Sequence, residues 1–237
     1  MALVPHLKGK LKIPVVGAPL FIVSGPELVI SQCKAGVVGS FPALNARPQE
    51  VLDEWLIQIK EELDKHNQEN PDSPAAPFAV NQICHASNDR LMQDMESCVR
   101  HEVPIIITSL RPPLEIVEAA HSYGGVVFHD VINVRHAKKA AEQGVDGLIL
   151  VCAGAGGHAG TLSPFALVRE VREFFDGTII LSGSISSGSA VASSLALGAD
   201  LAYLGTRFIA TEEANADQGY KDMLIDSVAD DIVYSSL

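Results

Sequence analysis

Aromatic residues make up only 5% of the 237-residue chain, with a single tryptophan. Any core must therefore be filled by Val, Ile, Leu and Ala. No apolar run approaches the roughly 18 residues that cross a bilayer, so no membrane partner is expected. Met1 to Lys12 lacks the apolar stretch and small-residue cleavage site of a signal peptide. Cations are also scarce: 17 Lys and Arg against 29 Asp and Glu give a net charge of −12. A surface of that sign repels phosphate backbones and anionic lipids, which excludes nucleic acid as a partner. The four cysteines, Cys33, Cys84, Cys98 and Cys152, show no Cys-x-x-Cys spacing. They are expected to be reduced thiols of a cytoplasmic protein, buried as small hydrophobes, with Cys84 and Cys152 near strand ends as the two that could react. The eight histidines form no His-x-x-x-His or His-Glu-x-x-His pair, so no metal site is expected. No P-loop and no Gly-x-Gly-x-x-Gly after the first strand is present, which disfavours a nucleoside triphosphate or a conventionally bound dinucleotide.

What the chain does have is alternation. Short runs rich in Val and Ile recur at Ile13–Ala18, Val37–Phe41, Phe78–Gln82, Ile105–Ser109, Val126–Val131, Gly147–Cys152, Thr178–Gly183 and Leu201–Phe208. Apolar throughout, they suit parallel strands covered on both faces. Helical patterns separate them at Pro26–Lys34, Pro48–Lys65, Asp89–His101, Pro113–Ser122, Val134–Gln143, Pro164–Phe175 and Ser189–Leu197, and a last one spans Asp217 to Ser227. Asn67–Pro77, with three prolines and no periodicity, reads as a surface excursion. A faint repeat puts glycine between helix and strand: Lys34-Ala-Gly-Val-Val, Tyr123-Gly-Gly-Val-Val, Gln143-Gly-Val-Asp-Gly and Leu197-Gly-Ala-Asp-Leu. Glycine is the natural residue just past a helix end. Eight strands each followed by a helix predict a single-domain (β/α)8 (TIM) barrel over residues 1–237. A doubly wound open sheet gives the same local alternation, and the strand count favours the barrel.

Barrels bind ligands at the C-terminal ends of their strands. The predicted ends collect Gly17-Ala18-Pro19-Leu20, Asn81-Gln82, His129-Asp130, Ser182-Gly183-Ser184-Ile185 and Gly205-Thr206-Arg207. The stretch after the sixth strand, Val151 to Gly160, is rich in Gly and Ala around one histidine, His158, a residue type able to move protons near neutral pH. Ser163-Pro164 then sets an N-cap and a first-turn proline for the next helix. The Gly/Ser and Gly/Thr loops after strands 7 and 8 suit backbone and hydroxyl donation to a phosphate monoester. Each residue also has a plainer reading: Asn81 closing a turn, Asp130 capping a helix ahead of Asn133, Arg207 pairing with a carboxylate, Ser186 and Ser187 capping a helix.

Gly17-Ala-Pro19, Phe78-Ala-Val-Asn81, Gly144-Val-Asp-Gly147, Gly156-Gly-His-Ala-Gly160, Ser182-Gly-Ser-Ile185 and Gly205-Thr-Arg-Phe208 occur in order. Together they resemble the nitronate monooxygenase (2-nitropropane dioxygenase) family of FMN-dependent barrels, from about Val15 to Asn215. The resemblance implies noncovalent FMN, small-molecule nitronate or nitroalkane substrates and dioxygen. By it Ala18, Pro19 and Asn81 line the flavin, Gly156 and Gly157 border it, and Gly183, Ser184, Gly205 and Thr206 hold its phosphate. Leu20, Asp130, Val151, Ser182 and Leu204 are assigned to the same cofactor site, and His158 is the catalytic base or substrate-orienting residue. Three departures stand out. Many members carry Gln at Val151 and Glu at Gly154; the phosphate loop is usually Gly-Gly-Ile, where this chain has Ser184; and the family commonly continues past the last helix here. An NAD(P)H-dependent FMN reductase acting on a quinone or enoyl thioester fits the same motifs, and so does a catalytically idle FMN- or phosphate-binding scaffold. The oligomeric state, homodimer included, is left open.

Overall fold

The computed structural model describes residues 2–111, 114–157 and 159–235. Eight parallel strands run in the order β1-β8-β7-β6-β5-β4-β3-β2. They are β1 Val15–Gly17, β2 Gly39–Pro42, β3 Phe78–Cys84, β4 Ile105–Leu110, β5 Val126–Val131, β6 Gly147–Val151, β7 Thr178–Ser182 and β8 Leu201–Leu204. The two edges meet through the bridge Val16↔Val38, with Gly17 N–H donating to the Val38 carbonyl at 2.8 Å. Consecutive strands are neighbours all the way round, so the sheet is the predicted TIM barrel and not a doubly wound sheet.

The helices are α1 Pro26–Lys34, α2 Val51–Glu69, α3 Leu91–Arg100, α4 Leu114–His121, α5 Val134–Glu142, α6 Pro164–Arg172, α7 Gly188–Ala196, α8 Thr206–Ile209 and α9 Gln218–Asp226. Most bounds shift by up to three residues, and two differences are larger or change the element. Helix α2 continues to Glu69, into the segment expected to be irregular. The eighth strand stops at Leu204, and Thr206–Ile209 forms a short helix in place of further strand. The repeat glycines behave as expected: Gly36, Gly124, Gly144 and Gly198 have φ of +84°, +87°, +80° and +106°. In this left-handed region a Cβ meets the following carbonyl, so glycine ends the helix without strain. The aspartates of the last two repeats add a clamp. Asp146 accepts the Val127 N–H at 2.8 Å and Asp200 the Ile179 N–H at 2.9 Å, each tying down the start of the preceding strand or its neighbour.

Strand residues alternate between two cores. Val16, Val38, Ala79, Ile105, Ile107, Phe128, Ile149, Ile180 and Leu201 fill the barrel. Gly147 sits opposite Phe128, where a Cβ would come within 2.6 Å of the ring. The missing side chain is the space the phenyl occupies. A larger aliphatic layer lies between strands and helices. At the base of the barrel, Ala2 N–H bonds to Asp200 and Val4 N–H to the Thr178 hydroxyl, which seats Val4 and Leu7 against the interior. This plug is absent from the sequence-based reading. Among the described residues no helix is long and apolar enough to cross a membrane.

Candidate active site

The pleat decides which strand-end residues reach the mouth. Asn81 points inward, so Gln82 points outward, where its amide donates to Cys98 Sγ at 3.4 Å beneath α3. Asp130 points inward, and His129 therefore lies in the outer layer, its Nδ1 2.8 Å from the Thr108 hydroxyl. Burial pushes the His129 pKa down to about 4, helped by the charge of nearby His136. Gln82 and His129 thus leave the set of mouth residues: adjacent strand positions cannot face the same way. All four cysteines are buried and free, and burial lifts their thiols to about 12 at Cys33, Cys84 and Cys98 and about 11 at Cys152. None is a thiolate near neutral pH, which removes the reactive alternative for Cys84 and Cys152.

Inside the mouth three strands contribute a directed polar row. Asn81 Nδ2 donates to Ser109 Oγ at 3.1 Å and to the Ile107 carbonyl at 3.2 Å, and Ser109 Oγ donates to Asp130 Oδ2 at 2.6 Å. With its amide hydrogens so engaged, Asn81 presents Oδ1, which among the described residues accepts no hydrogen bond, as an acceptor. Asp130 is not the cap of α5: Asn133 holds that position and accepts the His136 N–H at 2.9 Å. Tyr203, on the barrel wall, has its phenol pKa raised well above the ordinary value by burial and then by Asp130, so it is a neutral donor. Ser109 and Tyr203 were not singled out from sequence. The signal was there in Thr108-Ser109 closing an otherwise Ile-only strand.

The loops complete the site. Ala18, Pro19 and Leu20 are half-buried after β1, and Ala18 N–H donates to the Leu204 carbonyl at 2.8 Å. Val151 and buried Ser182 end β6 and β7 on the inward side. Leu204 differs from its assigned companions: its side chain packs outward with Val15, Val37, Val191 and Ala202, leaving only its backbone at the rim. Gly156 and Gly157 are exposed, and among the described residues a Cβ on either would meet nothing within 4 Å. His158 lies outside the described residues.

After β7, Gly183 has φ +137° and its Cβ would fall 2.8 Å from the Ala153 carbonyl. Ser184 has φ +52°, and both its N–H (3.0 Å) and its hydroxyl (3.1 Å) donate to the Gly154 carbonyl. The hydroxyl thus ties the β7 loop to the β6 loop. A Cβ on Gly205 would lie 3.4 Å from Leu20 and 3.7 Å from Ala18, so the β1 and β8 loops touch there. Thr206 and Arg207 are exposed, and Arg207 makes no ion pair among the described residues. Ser187 caps α7, accepting Ala190 N–H at 3.3 Å. Ser163 stands at the N-cap of α6 ahead of proline but makes no side-chain cap bond. Around the mouth, Phe21 after β1, Leu110 at the end of β4, Leu162 after β6 and Phe165 in the first turn of α6 are exposed.

Comparison with known proteins agrees with this architecture. FabK from Thermotoga maritima superposes with a TM-score of 0.81 over 94% of this chain and 66% of that one, at 23% identity. A nitroalkane oxidase from Streptomyces ansochromogenes gives 0.77 over 93% and 73%, at 24% identity. Among curated relatives, a 5-hydroxy-7a-methyl-1-oxo-octahydro-indene-4-carboxyl-CoA dehydrogenase of Rhodococcus jostii is 29% identical over 88% of this chain, which spans 55% of that protein. A nitronate monooxygenase of Paraburkholderia phytofirmans is 25% identical over 91% of this chain and 68% of its own length. The model of the nitronate monooxygenase family matches residues 5–237, and the chain belongs to that family.

Proposed function

We propose that this chain is an FMN-dependent oxidoreductase whose leading activity is oxidation of alkyl nitronates with dioxygen. One observation carries the reading: the inward row Asn81–Ser109–Asp130 shares the barrel mouth with glycine-bearing loops that leave room for a ligand. The residues present fit a flavin phosphate ester. Among the described residues nothing crowds Gly156 or Gly157, and the exposed Ser184 and Thr206 stand on the two loops that bind phosphate in barrels. Ser184 would exchange the Gly154 carbonyl for a phosphate oxygen, a charge-assisted acceptor roughly twice as strong as a neutral one. Asn81 Oδ1 would accept from a ring N–H, and Ala18 to Leu20 would cover an apolar edge.

When bound, FMN supplies the electron transfer from substrate to dioxygen. The protein binds, orients and moves the proton. His158 would take the α-proton of a neutral nitroalkane, a task suited to an imidazole. With a nitronate that proton is already gone, and His158 would only orient the anionic oxygens. The polar row would keep Asn81 fixed, because Ser109 is held between it and Asp130.

A second reading, NAD(P)H-dependent reduction of a larger apolar substrate, is favoured by the exposed Phe21, Leu110, Leu162 and Phe165 around the mouth. The CoA-ester name of the Rhodococcus jostii relative is in keeping with it. Anaerobic mixing separates the readings. Bleaching of bound FMN by ethyl nitronate and not by NADH supports the monooxygenase; the reverse supports the reductase. Protein that takes up FMN and responds to neither is a scaffold, and protein that takes up none overturns the proposal.

A further inference from the structure

The loop from Leu20 to Ser24, which carries the β1 wall of the mouth into α1, is held in a conformation its own sequence disfavours. Ile22 has φ +66°. That is the left-handed region, where a β-branched residue is an outlier. Burial does not explain its presence, because Ile22 is 60% exposed. Within the loop, Ser24 N–H donates to the Leu20 carbonyl at 2.9 Å and Leu20 N–H donates to Ser24 Oγ at 3.0 Å.

Two distant residues grip the loop from outside, and one of them makes three side-chain bonds to it. Asn45, at the end of the single 3-10 turn Ala43–Asn45 that follows β2, accepts the Ile22 N–H through Oδ1 at 2.9 Å. Its Nδ2 donates to the Leu20 carbonyl at 3.0 Å and to the Ser24 carbonyl at 2.9 Å. All three bonds thus go to one five-residue loop. Asn215 closes the other side, donating its N–H to the Val23 carbonyl at 3.0 Å and its Nδ2 to the Ile22 carbonyl at 3.1 Å. Leu20 in turn is the side chain a Cβ on Gly205 would meet first, so the loop's placement sets the gap to the β8 loop.

We infer that Asn45 is a positioning residue for the mouth: it holds Ile22 in the left-handed conformation and so fixes the wall formed by Ala18, Pro19 and Leu20 against the β8 loop. The inference rests on the reading of the mouth as a flavin site. Asn45→Ala removes the acceptor of the Ile22 N–H and the side-chain donor to the Leu20 and Ser24 carbonyls, of which Leu20 keeps the Ser24 N–H. Ile22→Gly removes the conformational strain that Asn45 counters, because glycine adopts positive φ unaided.

The test measures FMN affinity by fluorescence quenching in the full chain, the Asn45→Ala and Ile22→Gly variants and their combination, with backbone amide exchange on the ligand-free proteins. Asn45→Ala is expected to weaken FMN binding about ten-fold, as for the net loss of one hydrogen bond's worth of preorganisation. Exchange should quicken at Ile22, Ser24 and Asn215 and not across the strands. Adding Ile22→Gly should recover most of the affinity, which a general loss of stability would not allow. Unchanged affinity in Asn45→Ala, or no recovery in the combination, overturns the inference. If Asn45→Ala does not fold, Asn45→Asp, which keeps an acceptor for the Ile22 N–H and loses both bonds donated to the Leu20 and Ser24 carbonyls, carries the same comparison with a smaller expected loss. If the parent binds no FMN, the proposed function falls by itself, and exchange then decides Asn45's part: acceleration confined to those three amides supports its hold on the loop, and its absence refutes it.

Discussion

Two departures from the family's usual residues, Gly154 and Ser184, are one steric solution. Gly154 has φ +87°, and a Cβ built there would lie 2.2 Å from Ser184 Oγ. Gly154→Ala therefore carries two costs. The left-handed backbone costs an alanine roughly 1–2 kcal/mol. The serine hydroxyl must also rotate away and give up its bond to the Gly154 carbonyl, worth about 1 kcal/mol. The total of about 2–3 kcal/mol corresponds to a drop of roughly 5–10 °C in Tm for a chain of this size. Ser184→Gly alone should be near neutral, since it loses that bond but relieves a serine held at φ +52°. In the double variant the collision is gone and only the alanine strain is left. The pair should then be about 1 kcal/mol less destabilised than the sum of the singles. Urea unfolding of the four proteins measures this coupling. Additivity within about 0.5 kcal/mol would show that Ser184 does not crowd position 154. By the same geometry Gly154→Glu should be tolerated only together with Ser184→Gly.

Other outcomes follow from the same geometry. His158→Ala should lower turnover of neutral nitroalkanes by roughly 10²–10⁴-fold, the usual worth of general-base catalysis, and that of preformed nitronates far less; assays per mole of bound FMN check it, and equal losses remove the base role. Gly205→Leu should weaken FMN much more than riboflavin, because that loop is assigned to the phosphate; titration of both ligands measures the difference. His129, with its pKa depressed to about 4 against an ordinary 6.5, is neutral in the folded protein where the unfolded chain is already protonated. Stability should thus fall as pH drops from 6.5 towards 4, by at most roughly 3 kcal/mol. Urea midpoints across that range, flatter in His129→Asn, are the measurement. Glu102 takes the position after α3 that glycine fills elsewhere, at φ +49°, and Glu102→Gly should stabilise by about 0.5–1 kcal/mol, visible as a raised Tm.

The barrel was legible because its signals are local. Glycines at 36, 124, 144 and 198 mark helix ends by backbone sterics alone, and the aliphatic runs mark strands by burial on both faces. The candidate site was legible to the level of strand ends but not of faces. Asn81-Gln82 and His129-Asp130 each look like two mouth residues, and the pleat gives each pair only one. Continuous burial hides that parity, because a strand covered on both sides shows no polar alternation to read. The eighth strand looked too long because Gly205-Thr-Arg-Phe-Ile carries an apolar pattern compatible with either strand or helix. Asn45 left no trace in the sequence. Its three bonds go to backbone atoms more than twenty positions away, and backbone acceptors carry no residue signature.

The plug at the base gives the barrel a direction of traffic. Leu7 is fully buried and Val4 nearly so, anchored through Thr178 and Asp200 at the starts of β7 and β8. Among the described residues the axis is therefore closed at that end, and the doorway for small molecules lies at the other, between the β1, β4, β6 and β8 loops. Two reactants that share a doorway compete for it. For a flavin lying across that opening, an organic substrate seated above it would stand in the path of dioxygen. An oxidation that joins the substrate to dioxygen needs both at the flavin together, so a mouth open on one side would have to admit dioxygen past a substrate already seated there.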